Sequence, residues 1–331
     1  MPELAAIATA LGKTGHLPAV LATLVRVEGS SYRRPGARLL ITGAGERLGA
    51  ISGGCLEEDL VERARGVLAR GIPEAVTYDT TAENDLVWGV GLGCHGVVRV
   101  LLERITAPPT WAAALCAATA GRRTVRLRVR HDGPDSLRWG TRLASAKEDP
   151  AEAGEWEQLV PPPAALFILG AGEDARPVAS LARTLGWHVT VADPRPAFAT
   201  RARFPAADNV VTAPAAELVA RLDPGPDALV VVMTHHYVHD RPLLGALLGR
   251  PLAYVGLLGP RRRAERMLAD LAATAPAAAA ELGRRLRAPV GLDLGADGPE
   301  QVALAILAEM QAVLGGRDGW PLREREGPIH G

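Results

Sequence analysis

The sequence predicts an α/β protein of two domains, an α+β domain followed by a doubly wound parallel sheet. Three observations predict it. At 331 residues the chain is too long for one ordinary core. Its second half alternates short apolar runs with helical stretches, the rhythm of parallel strands covered on both faces. Its first half mixes strand and helix patterns without that rhythm.

The opening stretch MPELAAIATALGKTG has no charged region followed by a long apolar run, so it reads as an amphipathic helix and not a signal peptide. Residues 17–27, 37–42 and 47–51 read as strands. GAGE supplies a hairpin turn between the last two. Residues 56–70 carry apolar positions at helical spacing, and 75–78, 97–102 and 124–129 are further strand candidates. The acidic stretch from Ala146 ends in Pro161-Pro162-Pro163, which fits neither a helix nor an inner strand. The expected organisation is therefore a domain over 1–145, a linker over 146–163, a parallel-sheet domain over 164–316 and a frayed tail over 317–331. In that third segment, strands are expected at 165–169, 188–192, 209–212, 228–233 and 252–257. Helices are expected at 174–185 and across the Ala-rich 273–280.

Lys plus Arg and Asp plus Glu each number 37, so no overall field draws nucleic acid or an anionic membrane. No apolar run approaches the length of a membrane span. The three cysteines, Cys55, Cys94 and Cys116, form no paired CxxC motif. They are expected as reduced thiols in a cytoplasmic protein, not as a structural zinc site. Cys116, inside WAAALCAATA, is expected in the core. A homo-oligomer is compatible with such a chain.

Three regions carry chemistry. Gly170-Ala171-Gly172-Glu173-Asp174-Ala175 follows a strand, opens a helix, and precedes a strand ending at Asp193, the context of a Rossmann-type dinucleotide loop. Gly170 permits the tight turn, and Gly172 lets a phosphate approach the backbone. The helix start offers N–H groups to an anion, and Asp193 is placed to accept from a ribose. Glu173 and Asp174 oppose this, because they put carboxylates where the phosphate would sit. Thr234 to Asp240 follows another strand at the sheet edge where ligands bind. There His235 and His239, four apart, share a face if helical, as metal ligands can. A helix cap is the plainer reading. Gly259-Pro260-Arg261-Arg262-Arg263 offers phosphate contact or a solvated face.

In the first domain, Ser52-Gly53-Gly54-Cys55 joins strand to helix. The helix N-terminus favours a thiolate at Cys55, and Gly53 and Gly54 admit a bulky ligand. Gly93-Cys94-His95 has the same character. Thiolates so placed can ligate a soft metal or carry sulfur, so Cys55 and Cys94 are the candidate metal ligands. Arg34 and Arg38, if they face those cysteines, supply the positive surface that a phosphate-bearing ligand requires.

The ordered motifs SSYRRPGARLL, SGGCLEEDL, GLGCHG, LFILGAGEDA, VTVADPR, VVVMTHHYVHD, YVGLLGPRRR and APVGLDLGADGPEQVALAILAEM make the chain resemble the XdhC/CoxI family from about Ala19 to about Val313. The resemblance implies a cofactor-handling domain joined to a Rossmann domain. It implies a chaperone that binds the molybdenum cofactor and supports exchange of an oxo ligand for a sulfido with a cysteine desulfurase. The cofactor then passes to a xanthine dehydrogenase-type molybdoenzyme. By position, Cys55 and Cys94 match the family's motif cysteines. Thr234, His235 and Asp240 match its THxxxxD pattern, and Gly170, Gly172 and Asp193 match its Rossmann loop. His95 stands where the family usually has glycine, and Glu173 where it commonly has histidine. The open alternative is an NAD(P)-dependent oxidoreductase holding NAD(P) or another nucleotide in the crevice. No tyrosine–lysine pair follows the loop to serve it.

Overall fold

The computed structural model describes residues 2–29, 31–79, 96–145 and 148–326. The chain divides into two units, Met1–Pro162 and Pro163–Gly331.

The first unit is built on an antiparallel sheet of order β3-β2-β1-β5-β4. Its strands are β1 (Ala19–Gly29), β2 (Arg38–Thr42), β3 (Arg47–Gly49), β4 (Glu74–Asp79) and β5 (Gly96–Ile105). The period-2 alternation of side chains splits the buried residues between two faces. On one face Val20, Ala22, Leu24, Leu39, Ile41 and Val100 pack with Leu60, Ala64 and Val67 of helix α2 (Glu57–Arg70). On the other, Leu21, Leu40 and Ile105 meet Ile7 of α1 (Pro2–Leu11), Trp111 and Leu115 of α3 (Thr110–Ala120), and Leu127.

Leu127 belongs to a second sheet of order β7-β6-β8, with β6 (Val125–Arg130), β7 (Gly140–Leu143) and β8 (Glu155–Val160). Strand β8 corrects the expected linker over 146–163. The stretch is acidic because it neutralises its neighbour strand. Glu157 takes Arg126 at 2.9 Å and Arg128 at 2.7 Å, and Glu155 takes Arg130 at 2.9 Å. A second correction concerns Cys116, which is exposed on α3 while Trp111, Ala112, Leu115 and Ala118 form the buried stripe.

The second unit holds six strands: β9 (Ala165–Leu169), β10 (His188–Asp193), β11 (Asn209–Thr212), β12 (Leu229–Val232), β13 (Tyr254–Leu257) and β14 (Leu286–Arg287). All pair in parallel in the order β11-β10-β9-β12-β13-β14. This is a Rossmann order, with the direction of winding reversing between β9 and β12. Helices α4 (Ala175–Thr184) and α9 (Pro299–Leu314) cover one face through Val178, Ala179, Ile306 and Met310. Helices α5 (Ala215–Leu222), α6 (Tyr237–Ala246), α7 (Arg261–Ala272) and α8 (Pro276–Arg285) cover the other through Leu218, Leu243, Met267 and Leu282. Burial on both faces explains why β9 and β12 read as unbroken apolar runs. Among the described residues, no helix is long and apolar enough to cross a membrane.

Candidate functional site

Cys55 lies exposed in the turn between β3 and α2, two residues before the helix begins. The turn is held from beneath by a buried carboxylate. Glu57 accepts from the Ile51 and Ser52 amides at 3.1 and 2.8 Å and from the Ser52 hydroxyl at 2.5 Å. The Ser52 oxygen in turn accepts from the Gly54 and Leu56 amides at 3.2 Å each, and from the Cys55 thiol at 3.3 Å. Burial pushes the Glu57 carboxyl up, but these hydrogen bonds outweigh it and leave the group below its ordinary range. Gly54, at φ +113°, takes a backbone conformation that side chains rarely adopt. Tyr32 stands beside Gly53, about 4.0 Å from where a Cβ would be. The thiol is therefore presented on a fixed turn, open to solvent. The alternation patterns did not reveal Ser52 and Glu57 as its supports, since their spacing matches no capping box.

Arg34 and Arg38 line one cavity of the first unit, at different depths. Arg34 is exposed on the loop before β2. Arg38 is a strand residue, buried on the sheet face opposite α2, where its Nη1 donates to Gln158 of β8 at 2.7 Å. Arg38 thus belongs to β2, as the strand reading of 37–42 expects, and its guanidinium is engaged by β8 within the unit. Cys94 and His95 lie outside the described residues.

In the second unit, the Gly170 and Thr234 loops meet at the switch point. Gly170 has φ +129°, and a Cβ there would stand 2.4 Å from the Met233 carbonyl carbon and 2.6 Å from the Thr234 nitrogen. Only glycine permits that approach. Asp193 is fully buried at the end of β10. Its Oδ1 accepts from the Arg195 amide and Nε at 2.8 and 2.9 Å, and its Oδ2 from the Ala171 amide and Arg195 Nη2 at 2.7 and 2.8 Å. Burial raises this carboxyl, yet Arg195 and the two amides bring it below its usual range. A carboxylate has about four acceptor positions, and here all are taken. A ribose could be received only by displacing one of these bonds. Arg195, whose guanidinium lies 3.9 Å from the Phe198 ring centre, is the residue that sequence reasoning missed.

Across the crevice His235, at φ +62°, pairs through Nε2 with Asp174 Oδ2 at 2.9 Å, and its Cδ2 lies 3.8 Å from where a Gly172 Cβ would be. It thus stands over the glycine that a phosphate would approach. Glu173 is bound to Arg176 at 2.9 Å and to Arg203 at 2.6 Å, so it points charge to neighbouring arginines. Thr234 Oγ1 donates to the buried Asp240 at 2.6 Å, and Asp240 also pairs with Arg263 of α7. Thr234 and Asp240 are thus the struts of the His235 turn. Helix α6 begins at Tyr237, so His235 and His239 do not share a helix face; the rings that approach are those of His236 and His239, centres 5.9 Å apart. Among the described residues, no three His, Cys, Asp or Glu side chains gather as a metal cluster.

Comparison with known proteins decides the family. Residues 14–79 match the XdhC and CoxI family and residues 166–310 its XdhC Rossmann domain. A Bacillus subtilis protein described as a probable xanthine dehydrogenase subunit is 34% identical over 312 residues, covering 88% of this chain and 92% of that protein. The chain belongs to the XdhC and CoxI family. A further relative, the molybdenum cofactor insertion chaperone PaoD of Escherichia coli, is 25% identical over 89% of this chain and 83% of its own length. The crystal structure of a protein described as a xanthine dehydrogenase from Bacillus halodurans superposes with a TM-score of 0.81 at 29% identity, covering 99% of both chains. Both expected halves of the XdhC architecture are therefore present, in the expected order.

Proposed function

We propose that this XdhC-family protein is an accessory factor that takes the molybdenum cofactor as cargo, presents it to a cysteine desulfurase and delivers it to a xanthine dehydrogenase-type molybdoenzyme. The observation that carries the reading is Cys55: a soft donor held on a rigid turn, open to solvent, with Gly53 and Gly54 leaving room beside it. Cys94 is assigned the second thiol on its sequence alone. The roles that the relatives' names give, an insertion chaperone and part of a dehydrogenase, point the same way. A nucleotide or phosphate portion of a ligand is assigned to the crevice of Gly170, Gly172, Asp193, Thr234, His235 and Asp240, where it would have to displace His235 from Gly172 and one donor from Asp193.

The oxidoreductase reading has less support. Its ribose acceptor is fully engaged, and His235 occupies the approach to Gly172. Titration with NAD and NADP should give no heat at millimolar cofactor. The decisive experiment is retention of released molybdopterin on the purified chain. Wild type retains it, and Cys55→Ser weakens retention at least tenfold. Equal retention by both proteins would remove Cys55 from the site, and none by wild type would end the cargo reading.

A further inference from the structure

The first unit contains a cavity of about 200 Å³ whose wall includes Glu3, Arg33, Arg34, Gly36, Arg38 and Gln158. Arg38 is 1% exposed, and burial pulls its ionisation down to about 10, with Glu103 and Glu3 offsetting only part of the effect through space. No carboxylate makes a salt bridge with it among the described residues. Its Nη1 is satisfied by the Gly36 carbonyl at 3.1 Å and by Gln158. Its Nε and Nη2 have no partner, and neither does the hydroxyl of Thr23, its cross-strand neighbour. A guanidinium buried with no direct counter-charge is strongly unfavourable unless something else answers it.

The rest of the wall sharpens that point. Arg33 is balanced by Glu3 at 2.7 Å, which leaves Arg34, exposed at the rim, and Arg38 as the charges with no direct ionic partner among the described residues. Gly36, at φ +99°, lets the loop pack against β8, since a Cβ there would run into Gln158 at 2.7 Å and Trp156 at 2.9 Å. Arginine is the side chain suited to planar, multidentate recognition of an oxyanion.

We infer that this cavity is a binding site for an oxyanion of the phosphate class, with Arg38 as its buried charge and Arg34 as its outer clamp. The site stands whether or not the cargo reading holds, because the phosphate can be free or the terminal group of a larger ligand. The test uses the full chain with inorganic phosphate as the probe, titrated by calorimetry at ionic strength held constant with chloride. The expected result is saturable binding that weakens at least tenfold in Arg34→Ala, an exposed change that leaves the fold intact, and is lost in Arg38→Met. No saturable binding by wild type, or equal binding by wild type and Arg34→Ala, overturns the site. So does Arg38→Met that folds and binds as wild type does, since Arg38 would then be a hydrated structural residue. Competition separates the sources: displacement of molybdopterin by phosphate places the cargo's phosphate in this site, whereas phosphate binding without displacement assigns it to the free ion. Loss of molybdopterin retention with phosphate binding intact counts against the cargo reading alone.

Discussion

Two glycine-bearing turns in this molecule hand a strand to a helix, and they have opposite fates. The Gly170 turn is closed by its own protein. Asp193 spends all its acceptor positions on Ala171 and Arg195, His235 stands over Gly172, and Asp240 ties the facing turn to Arg263. The Ser52–Cys55 turn puts its carboxylate underneath, where Glu57 gathers the backbone amides, and leaves the thiol outside. Similar sequence signatures therefore give a sealed joint in one unit and a presented thiol in the other. The difference lies in where the supporting carboxylate points.

Four substitutions can break or sharpen this contrast. The largest effect is expected from Gly170→Ala, because backbone atoms at 2.4–2.6 Å cannot rotate away from a Cβ. We expect a loss of about 5 kcal/mol in denaturant unfolding of the second unit. Asp240→Ala follows at about 3 kcal/mol, since it strands the largely buried Arg263 and removes the carboxylate that the Thr234 amide and hydroxyl bond. Glu57→Gln should cost about 1–3 kcal/mol, since one acceptor oxygen of the turn becomes a donor. It should also change the acid response. Because the folded Glu57 carboxyl sits below its ordinary range, its contribution is present above that range and fades as pH falls through it. Wild type should thus lose melting temperature below about pH 4, and Glu57→Gln should lose less over the same interval. The smallest stability effect is expected from Cys55→Ser, within about 0.5 kcal/mol, because the side chain is exposed and makes one weak contact. A large destabilisation there would recast Cys55 as structural.

Local signals were legible in the sequence. The alternation of apolar strands with helices placed the second unit, and the hairpin and the helix after Cys55 followed from turn chemistry and periodicity. What escaped depends on partners distant in the chain or on the direction of a side chain. Strand β8 reads as an acidic linker because the arginines it neutralises lie about thirty residues earlier on β6. Arg38 reads as a charge offered to a ligand because its partner Gln158 lies 120 residues later in the chain. Cys116 reads as buried because α3 is apolar all round, so nothing in WAAALCAATA distinguishes its solvent face. At Asp193 the residue itself was recognised, but Arg195, which fills its acceptor positions, was not.

The most direct test of the presented thiol is its alkylation in the full chain, followed peptide by peptide by mass spectrometry with and without molybdopterin. Labelling of Cys55 is expected to slow at least tenfold when the pterin is bound, while labelling of the exposed Cys116 stays unchanged. Equal protection of both cysteines, or none at Cys55, would contradict the account.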